Sequence, residues 1–392
     1  MDNLKASIND INYELFSPQQ LKWHSLAIEF ANQISVEEII ASDRENKFRR
    51  DLFESACQKG FGALPFDKIY GGAGGDYVSF CLVNEIFGRR CVPIMSSLGV
   101  HVLCQEPIYT FGTDSQKNKY LRDCAKGKLL AAFALTEPAA GSDTAALEST
   151  AKLIGNDYIL NGNKIFITSG SAADLFIVFA RLPEGITAFI IERNFKGLSI
   201  GQKFDMLGMR GYGTCEIVFT DCVVPKDNIL GKPGEGRKVA LSSLAKGRVT
   251  IASQALGWAR GAFDGLTKCI RQSSIDYLLA NLLTNVEAAS ALTYQAARAI
   301  DRGESNKNVD SPNKTNQISQ DRALRFLNLS FCHSLVISYI ALVIYILAII
   351  RKIYRGQLIV FGFDWFLRKF DQLWRLEKSV RLNTLVLILQ YR

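Results

Sequence analysis

Through residues 1–130 the apolar positions recur at helical spacing. After Ser17-Pro18, the residues Trp23, Leu26, Ala27, Phe30, Ala31 and Ile34 mark one face of a predicted helix. Phe48, Leu52, Phe53 and Cys57 mark a second, with Gly60 as its stop. From residue 131 the period changes. Short apolar runs at 158–160, 165–167, 175–180, 186–191 and 216–224 alternate with turn residues, among them Asn161-Gly162-Asn163. That hairpin spacing predicts a small antiparallel β domain. From Val239 helices return, with Leu256, Ala259, Phe263, Leu266 and Ile270 on one face. Ile275, Leu279, Leu282, Val286 and Ala289 mark the next. The fold class read from this order is α+β. It comprises an all-α domain (1–130), a β domain (131–238), a helical domain (239–300), a polar linker (301–325) and a tail (326–392).

Composition narrows the function classes. The chain has 392 residues, 48% hydrophobic and 21% charged, which excludes a disordered tail and a wholly membrane-embedded protein. Residues 351–392 carry nine Lys or Arg and three acids, so the first 350 residues hold only +2 of the +8 net charge. A nearly neutral body argues against nucleic acid as a partner. The nine cysteines show no CxxC spacing and read as reduced thiols of a cytoplasmic protein. His24, His101 and His333 lie far apart, so no metal site is expected. The N-terminus has neither a secretion signal nor a transit peptide pattern. The run Tyr70-Gly71-Gly72-Ala73-Gly74-Gly75-Asp76 fits neither phosphate-loop pattern and reads as a turn between helices.

The junction of the first two regions reads Phe133-Ala134-Leu135-Thr136-Glu137-Pro138-Ala139-Ala140-Gly141-Ser142-Asp143. It resembles the signature of the acyl-CoA dehydrogenase family. More of the pattern surrounds it in order: Gly112 to Lys117, Asn161 to Thr168, Met206 to Arg210, Val223-Val224-Pro225 and Gly247-Arg248. The resemblance covers roughly residues 15–300. It implies an FAD enzyme of fatty acid metabolism that removes the α proton of an acyl-CoA while a hydride passes to flavin N5. It also implies a homo-oligomer and an electron-transfer acceptor protein. By the resemblance, Phe133, Leu135, Thr136, Gly141 and Ser142 line the flavin, with Thr136 donating to its N5/O4 edge. Phe166, Ile167 and Thr168 cover the rest of the ring, Phe166 standing where the family more often has Trp. Ser142 and Arg248 fall near the CoA ester.

Three departures bear on activity. The Asp expected three residues before Arg248 is Ala245. The stretch that reaches a neighbouring subunit's FAD is missing where Cys269 to Ile275 runs into the next helix. The Gly-Gly and Tyr-Glu-Gly ending that carries the catalytic base is absent, and the alternative base position is Gly247. No base is therefore assigned, and the second reading is an inactive relative.

The ending has its own character. From Phe326 to Ile350 no charged residue occurs apart from a protonated His333, and Arg351-Lys352 follow. This length suffices for a spanning helix with the basic tail on the cytoplasmic side. Two origins fit the run: a membrane anchor, or a shifted reading frame that replaced the family ending.

Overall fold

The computed structural model describes residues 15–206, 208–269 and 276–304. The missing stretch near Ile275, most of the linker, the apolar run to Ile350 and the basic tail therefore lie outside the described residues. Helix α1 (Pro18–Asn32) starts in a capping box between Ser17 and Gln20, and α2 (Val36–Arg44) in one between Ser35 and Glu38. Helix α3 (Arg50–Gln58) is followed by Gly60 at φ 92°, the left-handed stop that the glycine signalled. Helices α4 (Tyr77–Arg89) and α5 (Met95–Phe111) are buried along almost their whole length. They make the centre of the helical body, where Phe30, Phe61 and Phe87 pack ring to ring at 5.4–5.7 Å. The glycine-rich run is a turn. A Cβ on Gly72 would sit 2.1 Å from the Phe66 carbonyl oxygen, and one on Gly75 would sit 2.5 Å from Leu64. Helix α6 (Asp114–Ala125) completes this part.

Eight strands follow: β1 (Ala131–Ala134), β2 (Thr150–Ile154), β3 (Asp157–Ile167), β4 (Leu175–Leu182), β5 (Gly185–Glu192), β6 (Leu198–Lys203), β7 (Cys215–Pro225) and β8 (Ile229–Leu230). Their order is β6-β7-β3-β2-β4-β5-β8, with β1 beside β4. The ladders are antiparallel except β1 on β4 and a single β2–β4 pairing, which are parallel. One expectation is corrected. Asn161-Gly162-Asn163 is not a turn between strands, because β3 runs through it, with register shifts at Leu160/Gly162 and Lys164/Ile167. Gly162 sits at φ 149°, and a Cβ there would fall 2.2 Å from Ser149 Oγ. The glycine serves a close approach of β3 to the chain before β2.

Helix α7 (Gly236–Cys269) packs on α4 and α5, and α8 (Asp276–Asp301) closes the body. Asp301 at the end of α8 accepts from Tyr77 N at 2.6 Å and Val78 N at 3.1 Å, capping α4 from a distant part of the chain. The β domain is tied to the helices by polar links. Arg50 donates to Asp174 at 2.8 Å, and Asp174 accepts from Leu130 N. His101 of α5 accepts from Ala131 N at 3.1 Å and, through its other nitrogen, donates to Cys124 O at 3.0 Å. Burial lowers the pKa of this neutral ring to about 4. Among the described residues no helix is long and apolar enough to cross a membrane.

Candidate functional site

The two segments singled out in sequence, 133–142 and 163–168, lie side by side. Ile165 N donates to Thr136 O at 2.9 Å. Lys164 Nζ donates to Glu137 Oε1 at 2.5 Å, Phe179 O at 2.6 Å and Leu135 O at 3.3 Å. Its side chain is 0% exposed and that of Glu137 3%. Glu137 also accepts from Glu148 N at 2.5 Å and Ser149 N at 3.1 Å. Burial lowers the Lys164 pKa to about 8 against the opposing pull of Glu137. Burial works to raise the Glu137 carboxyl. The Lys164 ammonium, with the Ser149 and Glu148 amides, outweighs it and holds the group below the usual range. Sequence alone gives neither member a role. The burial of Lys164 follows from the fold, because β3 shifts register between Leu160 and Gly162 and strict alternation does not carry from Tyr158 to Lys164.

Beyond Lys164 the strand bulges. Phe166 stands at φ 56°, an uncommon conformation for a bulky residue, and its half-buried ring lies 4.6 Å from that of Phe204. Phe133 is half-buried on β1, its ring 5.1 Å from Phe179. Leu135 and Ile167 are core residues, so their side chains serve packing and what they offer a ligand is main chain. Thr136 and Thr168 are half-buried, and neither hydroxyl has a partner among the described residues. Ser142 is exposed and likewise unpartnered. Gly141 has neither a positive φ nor any atom within 4 Å of a Cβ built on it, so the chain's own packing does not require a glycine there. Unpaired hydroxyls beside an aromatic face and an open glycine backbone suit a flat group with a polar edge, and so fit the flavin that the resemblance implies.

Arg248 stands apart on α7. It is half-buried with no ion pair or hydrogen bond among the described residues, which suits an anionic or carbonyl-bearing ligand. No hydrogen bond or ion pair joins it to the two segments. A Cβ on the neighbouring Gly247 would lie 3.0 Å from Leu103 Cδ1 of α5, so a carboxylate-bearing side chain there would displace Leu103. Glu106 pairs with Lys246, and Asp301 caps α4. Among the described residues neither the two segments nor this stretch of α7 holds a carboxylate free to act as a base. A separate cavity of about 460 Å³ lies by the glycine-rich turn, lined by residues such as Cys57, Lys59, Gly72 and Lys126. It shares no lining residue with the flavin set. Among the described residues no group of three or more His, Cys, Asp or Glu is placed to hold a metal.

Comparison with known proteins gives matches along most of the chain. The acyl-CoA dehydrogenase N-terminal domain matches residues 17–128, the middle domain 132–222 and the C-terminal domain 234–316. The last match runs past residue 301, into the segment read as a linker. A short-chain specific acyl-CoA dehydrogenase of Clostridium acetobutylicum is 40% identical over 272 residues, 65% of this chain and 72% of that one. The structure of butyryl-CoA dehydrogenase from Megasphaera elsdenii superimposes with a TM-score of 0.78 at 31% identity, covering 86% of this chain and 89% of that one. The structure of an acyl-CoA dehydrogenase complexed with FAD from Bacillus anthracis does so at 0.75 and 28% identity, covering 86% and 61%.

Proposed function

Because the chain belongs to the acyl-CoA dehydrogenase family, we propose that it is an FAD-dependent oxidoreductase that introduces an α,β double bond into a short acyl-CoA thioester. The observation that carries this reading is the set of unpaired hydroxyls, Thr136, Thr168 and Ser142, on the two segments that also carry the open Gly141 and the half-buried rings of Phe133 and Phe166. Phe133, Leu135, Thr136, Gly141, Ser142, Phe166, Ile167 and Thr168 would hold the flavin, Leu135 and Ile167 through their main chain. Ser142 and Arg248 would hold the thioester end of the substrate. Bound FAD would supply the acceptor for the β hydride. Phe166 and Phe133 would exclude water from the bound group, and the threonine hydroxyls would offer it donors. An electron-transfer protein would reoxidise the flavin. The domain limits proposed are 130/131 and 238/239.

A short acyl chain is favoured by the packing of α5 on α7. Gly247 and Gln254 share one face of α7, roughly 10 Å apart at the helical rise. Both face α5. Gln254 is buried, donates to Asn84 Oδ1 at 2.8 Å and accepts from Ser96 Oγ at 3.2 Å. A Cβ on Gly99 would come 2.6 Å from its Nε2. An acyl chain entering beside Arg248 along this seam would meet the hydrogen-bonded Gln254 side chain within about two helical turns. Anaerobic titration of the yellow holoprotein tests the reading. Butyryl-CoA is expected to bleach the flavin band, and dodecanoyl-CoA to leave it. A colourless protein that takes up no FAD sinks the reading. Bound flavin that no acyl-CoA reduces leaves a binding protein without turnover.

A further inference from the structure

The geometry assigns the buried Glu137–Lys164 pair a positioning role: it holds Thr136 and the bulge at Phe166 in register, and so sets the affinity of the site for flavin. This assignment rests on the reading of that face as the flavin site. Lys164 spends its three protons on three different stretches of chain, at Leu135 O, Glu137 Oε1 and Phe179 O. Two of these acceptors flank Thr136 directly. The carbonyl of Thr136 itself takes Ile165 N–H, next to Lys164 in sequence. Thr136 is therefore fixed on both sides through its main chain while its hydroxyl stays unpaired. On the other strand Phe166, two residues after Lys164, holds φ 56°. A bulky residue keeps such a conformation only where its surroundings over-determine it.

Packing alone does not call for this pair. Apolar residues of similar volume fill a buried site as well or better than an ion pair does. What an apolar pair lacks is direction, since methyl groups would leave the Leu135 and Phe179 carbonyls and the Ser149 amide without their present partners. The pair's distinctive product is thus the exact placing of backbone around Thr136 rather than cohesion of the sheet.

FAD binding to the apoprotein, followed by flavin fluorescence, tests this in K164M and in the double variant E137M/K164M, with thermal unfolding of each apoprotein alongside. K164M is expected to weaken FAD binding by at least about tenfold, the scale of losing hydrogen bonds made by a charged group. The double variant is expected to regain thermal stability without regaining affinity, and the visible flavin band of either holoprotein is expected to shift. Affinity that returns with stability in the double variant overturns the assignment, as does a K164M holoprotein with wild-type affinity and spectrum. If K164M is recovered only unfolded, E137Q decides by the same two readouts, because it keeps the shape of the carboxylate. Wild-type apoprotein that binds no FAD overturns the flavin reading itself, and it does so before any variant is made.

Discussion

Two buried ion pairs lie in two different parts of the molecule. In the β domain Glu137 meets Lys164, and both are shut away from water. In the helical body Arg260 of α7 meets Glu85 of α4 at 2.8 Å and Glu287 of α8 at 2.8 Å, and Tyr294 of α8 donates to Glu85. Arg260 is 6% exposed and Glu85 3%, but Glu287 is 50% exposed. The first pair is dry on every side and ends on main-chain carbonyls. The second opens to water along one edge and joins side chains only, so its members have somewhere to turn when one is removed. The cations differ too. Arg260 stays charged at any working pH, whereas burial brings Lys164 within reach of mild alkali. Buried charge here follows two designs: one places backbone, the other staples helices.

The sharpest way to break the comparison is to remove the lysine. K164M leaves the Glu137 carboxylate buried without its cation, which costs about 4 kcal/mol by the precedent of broken buried pairs. Urea unfolding should show that loss, and E137M/K164M should recover most of it. A loss under about 1 kcal/mol, the level of an exposed pair, would mean that water already reaches this site.

Acid acts next, on the joint between the two parts. The His101 ring nitrogen that accepts Ala131 N–H would have to bear a proton of its own if charged, in a fully buried place. Its pKa, near 6.5 unfolded, falls to about 4 in the fold, mainly through burial. The unfolded chain therefore binds this proton first, and stability declines as pH falls from 6.5 toward 4, by up to about 3 kcal/mol. Above 6.5 the contribution is fully present. His24, also buried and also lowered to about 4, adds a decline in the same window. The variant H101F lacks the first of these. Its stability should start lower near neutrality, with Ala131 N unpaired, and fall less steeply in acid. Equal acid slopes for H101F and wild type would show that His101 is not the group titrating.

Much of this was legible in the chain. Helical spacing found the face of α1 from Trp23 to Ala31, and the mixed run from Phe133 to Asp143 carried the family. What escaped depended on contacts between distant segments. Asn161-Gly162-Asn163 has the composition of a turn, and only the approach of Ser149 makes it a bulge within β3. Strand β1 is Ala-Ala-Phe-Ala, poor in β-branched residues, and β2 buries a single side chain, so neither shows a periodic signal. Glu137 and Lys164 were visible as residues of the motif. Their pairing was not, because 27 positions separate them and sequence periodicity reports one strand at a time. The unpaired hydroxyls of Thr136 and Thr168 needed the fold as well, since a threonine's partner cannot be read from its neighbours. The family's ending offers no such foothold, so the sequence assigns no base.

The smallest expected effect sharpens the contrast from the other side. E287A removes the exposed carboxylate from Arg260 and leaves the buried one. Arg260 keeps Glu85 at 2.8 Å, and Tyr294 still donates to that carboxylate, so no buried charge loses its counter-charge. Water can take the place of a side chain that is already half exposed. The loss should therefore stay below about 1 kcal/mol, as for surface pairs, and added salt should shrink it further. Urea unfolding of E287A at low and high salt measures both. If E287A instead matched K164M in cost, with no response to salt, the helical seam would be as dry as the β-domain pair. The distinction between a charge that staples helices and one that places backbone would then fall.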